Sequence, residues 1–164
     1  MKLRLVLHTT CERQCEGCCN KQFDLDNTPY CEDYTPYELI MITGGEPMLT
    51  PIMLERAIKE IRSNTTAPMI LYTAKTDDDR LIRIFSLLDG ITVTLHDEDD
   101  ITPFHKFSQC VSSVSKGKTL RLNVFKGVHF PFQLPYWQTK RNIEWINPCP
   151  LPIGEVLMKY KTRF

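Results

Sequence analysis

The sequence predicts an α/β protein built on a parallel sheet, a partial, open (β/α) barrel. Three observations predict it. The runs Leu39-Ile40-Met41-Ile42-Thr43 and Met69-Ile70-Leu71-Tyr72-Thr73 are apolar almost throughout, as strands buried on both faces are. Stretches of helical periodicity separate successive strands, which calls for right-handed crossovers and parallel pairing. The chain has 164 residues, whereas a full eight-fold barrel needs about 250.

Taken in order, residues 2–7 alternate Leu3, Leu5 and Leu7 with Lys2, Arg4 and Val6, the pattern of a first strand. A cysteine-rich loop follows, and residues 20–36 read as loop with one short helix. The strand at 39–43 stops at Gly44-Gly45. Thr50 and Pro51 then open a helix as cap and first residue, with Met53, Leu54, Ala57, Ile58 and Ile61 as its apolar stripe. After the strand at 69–73, Asp77-Asp78-Asp79 places negative charge at the start of a helix running to about Leu88. Residues 91–96 form a strand, Thr102-Pro103 repeats the cap-and-proline start of a helix to about Ser115, and residues 120–125 form a further strand. Prolines 131, 135, 148, 150 and 152 break up the tail, with one strand expected near 143–146. Residues 1–127 are thus expected to form the core and 128–164 a proline-rich C-terminal extension packing on it.

Hydrophobic residues make up 42% of the chain and charged residues 24%, the proportions of an ordinary globular domain. The formal net charge is zero, so no strong field argues for nucleic acid or an anionic membrane as obligate partner. Lys159-Tyr160-Lys161-Thr162-Arg163 is a local basic patch. No apolar run is long enough to span a bilayer. The hydrophobic segment 1–8 is too short for a signal peptide and lacks a small-residue cleavage site. A cytoplasmic location is expected. Four of the seven cysteines (Cys11, Cys15, Cys18, Cys19) crowd into one loop, which suits metal ligation in a reducing compartment better than a disulfide scaffold.

Cys11, Cys15 and Cys18 stand in a C-x3-C-x2-C spacing. Three thiolates in one short loop can hold three irons of a cubane cluster and leave the fourth open to a ligand; a cluster used only for electron transfer normally has four protein ligands. The competing assignment is structural zinc with Cys19, His8 or Cys31 as fourth ligand, but no second C-x2-C hook is present. Cys19 reads as a buried small residue. Gly44-Gly45-Glu46-Pro47 ends the second strand. Its glycines let the backbone approach a ligand closely, its carbonyls can accept from an ammonium group, Pro47 stiffens the turn, and Glu46 buttresses it or accepts a further bond. By itself the motif is also an ordinary tight turn. Both motifs follow strands, so both open onto the carboxyl-end rim where parallel α/β sheets bind ligands.

Together, Cys11-x3-Cys15-x2-Cys18 and Gly44-Gly45-Glu46-Pro47 resemble the radical S-adenosylmethionine (SAM) superfamily, over residues 2–125. The resemblance implies a [4Fe-4S] cluster on Cys11, Cys15 and Cys18, with SAM chelating the open iron and its methionine amino group on Gly44, Gly45 and Glu46, beside Pro47. It implies a partial or complete (β/α) barrel and polar strand ends that bind SAM, pointing to Thr73, His96 and Asn123. It also implies reductive cleavage of SAM to a 5′-deoxyadenosyl radical that abstracts hydrogen from a substrate, with a flavodoxin- or ferredoxin-type one-electron donor as partner. In size the chain resembles the activating enzymes of anaerobic ribonucleotide reductase, which implies a protein substrate; a second small group makes 7-carboxy-7-deazaguanine. A non-catalytic cluster or zinc protein is the alternative of another class. In the family an aromatic residue precedes the third cysteine and packs near the adenine. Here that residue is Gly17, so another side chain covers the adenine or the contact is backbone only.

Weaker candidates complete the reading. Thr92, Thr94 and His96 share one strand face, as do Arg121 and Asn123; His96 faces a cofactor or hydrogen-bonds a nearby loop. Asp97-Glu98-Asp99-Asp100 reads as a solvated loop and helix-start charge. Tyr136, Trp137 and Trp145 are substrate-wall or packing residues.

Overall fold

The computed structural model describes residues 1–163. Seven strands, β1 (Lys2–Val6), β2 (Leu39–Thr43), β3 (Met69–Thr73), β4 (Gly90–Leu95), β5 (Thr119–Phe125), β6 (Gln138–Ile143) and β7 (Glu155–Lys159), form one sheet. Its order is β6-β5-β4-β3-β2-β1-β7, and every pairing is parallel. The sheet does not close: β6 and β7 are its two edges. Three helices, α1 (Pro51–Asn64), α2 (Arg80–Ser86) and α3 (Ile101–Cys110), lie in the crossovers.

From β1 to β6 each strand lies beside its predecessor. Right-handed crossovers that advance in one direction put their helices on one face of the sheet. That face carries Leu3 and Leu5, Ile40 and Ile42, Met69 and Leu71, Ile91 and Val93, Leu120 and Leu122, aligned across the strands by the register and all buried. Leu54, Ile58 and Ile61 of α1, Phe85 of α2 and Phe104 of α3 complete this core. No helix follows β5; instead Phe130 and Trp137 in the 126–137 loop pack on Phe104 at ring separations of 5.7 and 5.0 Å. The other face is left without helices. It carries Tyr72, Thr92, Arg121 and Gln138 in one cross-strand row, and Thr94, Asn123 and Lys140 in the next. These polar rows mark the face opposite the helices.

The tail departs from expectation. The strand expected near 143–146 lies at Gln138–Ile143, and a second, Glu155–Lys159, was not foreseen. Residues beyond 127 therefore supply both edges of the sheet. In β6 the register slips between Asn123 and Phe125, with Asn142 at a φ of 55°, a bulge that turns the end of the edge strand. Helix starts also differ in detail. Pro51 is the first residue of α1, but Thr50 makes no capping bond and its hydroxyl is buried without a partner. The N-cap position of α3 is Asp100 rather than Thr102, and Asp97 and Asp100 form a reciprocal capping box around the single turn of 3-10 helix, Glu98–Asp100, that leads into α3. Pro103 then falls in the first turn of α3, where a missing N–H costs nothing. No helix is long and apolar enough to cross a membrane among the described residues.

Candidate functional site

The glycine turn is built by close approach. Gly44 and Gly45 have φ of 87° and 53°, a region that favours glycine. A Cβ on Gly44 would lie 2.3 Å from Val6 Cγ1, and one on Gly45 would lie 2.2 Å from the Thr10 carbonyl oxygen. The turn is thereby pressed against the start of the cysteine loop, and the Glu46 N–H donates to that same Thr10 oxygen at 2.8 Å.

Glu46 faces inward to the protein. It is only 3% exposed, and its carboxylate accepts from Met48 N at 3.0 Å, from Ala74 N at 2.9 Å and from the Thr73 hydroxyl. Burial raises its pKa, opposed by those three donors. Of the two roles open to Glu46, the geometry shows the buttress. Thr73 is likewise buried, its hydroxyl spent on Glu46. The pair locks the turn after β2 to the end of β3.

A second anchor holds the cysteine loop. Arg13 donates a bidentate pair of bonds to Asp100, one of 3.0 Å, and a 3.4 Å bond to the Ala74 carbonyl. Asp100 is 7% exposed and also accepts from the backbone N–H groups of His96 at 2.8 Å and Asp97 at 3.2 Å. Residues 97–100 do carry helix-start charge, as expected, but Asp100 is buried and paired rather than solvated. The capping-box spacing of Asp97 and Asp100 was the available signal; nothing in the sequence pointed to Arg13 as its partner.

The third anchor is the Cys19–Cys149 disulfide, which joins the loop to the tail with a Cα–Cα distance of 5.4 Å. It corrects the reading of Cys19 as a buried small residue: Cys19 is half-buried and disulfide-bonded. Cys11, Cys15 and Cys18 are free thiols. Burial, and then the neighbouring Cys18, push the Cys15 thiol up, while Arg13 pulls it down.

A cavity of about 300 Å³ gathers these parts. Cys11, Cys15, Cys18, Gly45, Glu46, Thr73, His96 and Asn123 all line it. Gly44 and Pro47 stand behind the lining, Pro47 opening the single turn Pro47–Leu49. His96 packs on Phe125 at 4.8 Å and stacks on Trp145 at 5.5 Å with an interplanar angle of 14°. Burial, and then the nearby Arg13, lower its pKa. Trp145, from the tail, lines the cavity and lies on Gly17: a Cβ there would come within 2.3 Å of the indole Cγ. Sequence reasoning left Trp145 between wall and packing; the bare Gly17 was the signal that something large must cover it.

Among the described residues, no group of three or more His, Cys, Asp or Glu side chains is arranged to hold a metal ion. The donor chemistry nevertheless fits an iron–sulfur cluster: three free thiols from one short loop border one cavity. No family model, curated protein or solved structure matches the chain.

Proposed function

We propose that the chain is a radical SAM enzyme. The observation that carries this is the meeting of three free thiols, a close-packed Gly-Gly turn and polar strand ends on one cavity at the carboxyl rim of a parallel sheet. Cys11, Cys15 and Cys18 would hold the cluster, and the turn at Gly44 and Gly45 would receive the methionine end of SAM. When bound, the cluster and SAM supply reductive carbon–sulfur cleavage and a 5′-deoxyadenosyl radical that takes hydrogen from the substrate. Glu46 and Thr73 hold the turn rigid. Arg13 and Asp100 hold the loop against the rim. Trp145, stacked on His96 and tilted against Phe125, gives the cavity an aromatic wall.

Anaerobic reconstitution with iron and sulfide tests the proposal. Wild type should take up iron, show the broad visible absorption of a cluster and release 5′-deoxyadenosine from SAM under dithionite. Cys15→Ala should lose both. Retention of zinc with no 5′-deoxyadenosine would sink the proposal and favour a structural metal protein.

A further inference from the structure

A second cavity, of about 380 Å³, lies on the helix-free sheet face and is lined by Tyr72, Thr92, Arg121, Asn123, Gln138 and Lys140. It shares Tyr72 and Asn123 with the first cavity, so the two are neighbours.

Its charge is unbalanced. The lining holds two cations and no carboxylate. Every other arginine has a partner: carboxylates for Arg4, Arg13, Arg62, Arg80, Arg83 and Arg163, carbonyls for Arg141, and an interaction for Arg56. Arg121 alone has none among the described residues, although it sits half-buried in the middle of the sheet. A guanidinium carries five donors and no acceptor, and those of Arg121 are left to solvent rather than to a protein partner. Beside it, the Thr92 hydroxyl oxygen is buried and unpartnered, in a residue 3% exposed. Thr92, Arg121 and Gln138 are register partners, and Lys140 lies one row further along β6, opposite Asn123. One strand across and two residues along is a backbone separation of about 8 Å, which Arg and Lys side chains span easily. Both heads can therefore meet on one group.

We propose that Arg121, Lys140 and Thr92 form an oxyanion subsite that holds a phosphate or carboxylate group of the substrate next to the SAM cavity. This rests on the radical SAM assignment for the word substrate, but not for the binding itself. The guanidinium supplies a planar fork suited to such groups, the ammonium a point charge and Thr92 a short neutral donor.

Calorimetric titration of the full chain without cluster tests it, with methyl phosphate and acetate as the phosphate and carboxylate probes. At least one should bind saturably at one site, and the tighter of the two identifies the oxyanion. Arg121→Ala should weaken that binding at least ten-fold and Lys140→Ala at least three-fold, while Lys116→Ala, distant on a turn, should not. Lys140 is exposed, so its variant keeps the test valid if Arg121→Ala misfolds. Absence of saturable binding, or equal weakening by all three variants, would overturn the subsite. Failure of wild type to make 5′-deoxyadenosine would instead overturn the enzymatic assignment and leave the anion titration standing.

Discussion

The indole of Trp145 lies over Gly17, so close that a Cβ on Gly17 would come within 2.3 Å of the indole Cγ. A residue 128 positions further along the chain thus fills the space that a side chain before the third cysteine would take. The two positions are coupled: Gly17 is small because Trp145 is there.

Gly17→Phe should therefore evict Trp145. Forcing a large side chain into filled space costs about 1–3 kcal/mol. The readout is a red shift of the tryptophan emission, Trp137 being buried against Phe104 and Phe107 of α3. Under the proposed function, Trp145→Ala should weaken SAM binding about three- to ten-fold, the worth of one aromatic stack of about 0.5–1.5 kcal/mol. An unchanged spectrum in Gly17→Phe would mean that the two residues do not compete for the space.

Glu46→Gln should destabilise the fold. The carboxylate serves three donors with its two oxygens, whereas an amide turns one acceptor into a donor aimed at other donors. Leaving buried donors unmet costs about 1–3 kcal/mol. Urea unfolding should show a lower midpoint with an unchanged slope. Thr73→Val, which removes one of the three donors and leaves the rest, should cost less.

What was legible follows from the physics of each segment. The strands at 39–43 and 69–73 were readable to the residue because every residue in them is buried or half-buried, so the apolar runs are nearly unbroken. Strand β6 was misplaced because Gln138–Ile143 is an exposed edge with no apolar face to reveal it. Glu155–Lys159 was hidden by Pro150, Pro152 and Gly154 just before it. The glycine turn and the three cysteines are local motifs, and they fall on one cavity. Arg13 with Asp100, Cys19 with Cys149, and Trp145 on Gly17 are separated by 87, 130 and 128 positions. No local pattern can pair residues so distant.

Reduction of Cys19–Cys149 should lower stability. The bridge closes a loop of sequence separation 130, for which loop-closure entropy sets a ceiling of about 5 kcal/mol. Cys149→Ser and wild type in a phosphine reductant should unfold at similar, lower urea concentrations than oxidised wild type. Equal midpoints with and without reductant would show that the bridge does not restrain the unfolded chain. Trp145 lies four residues before Cys149, so the emission shift of Gly17→Phe should also appear, in part, in Cys149→Ser.

The last prediction concerns pH. Burial and the Arg13 charge lower the pKa of His96, and burial lowers that of His8. A histidine held neutral in the fold binds fewer protons there than in the unfolded chain below the ordinary value of about 6.5. Its stabilisation is complete above that value and is lost as pH falls through the lowered one. The slope is at most about 1.4 kcal/mol per pH unit for each group. Glu46 works in the opposite sense: its raised pKa favours the protonated fold, so its effect weakens stability as pH rises from about 4.5 through the raised value. Stability in urea should therefore fall between pH 7 and pH 5.5, and Glu46→Gln should steepen that fall by removing the opposing group. The His96 ring protons, followed by NMR, should titrate below 6.5 in wild type and move up toward it in Trp145→Ala, where the stacked indole no longer excludes water. A midpoint that does not move would assign the shift to Arg13, and Arg13→Leu should then raise it instead.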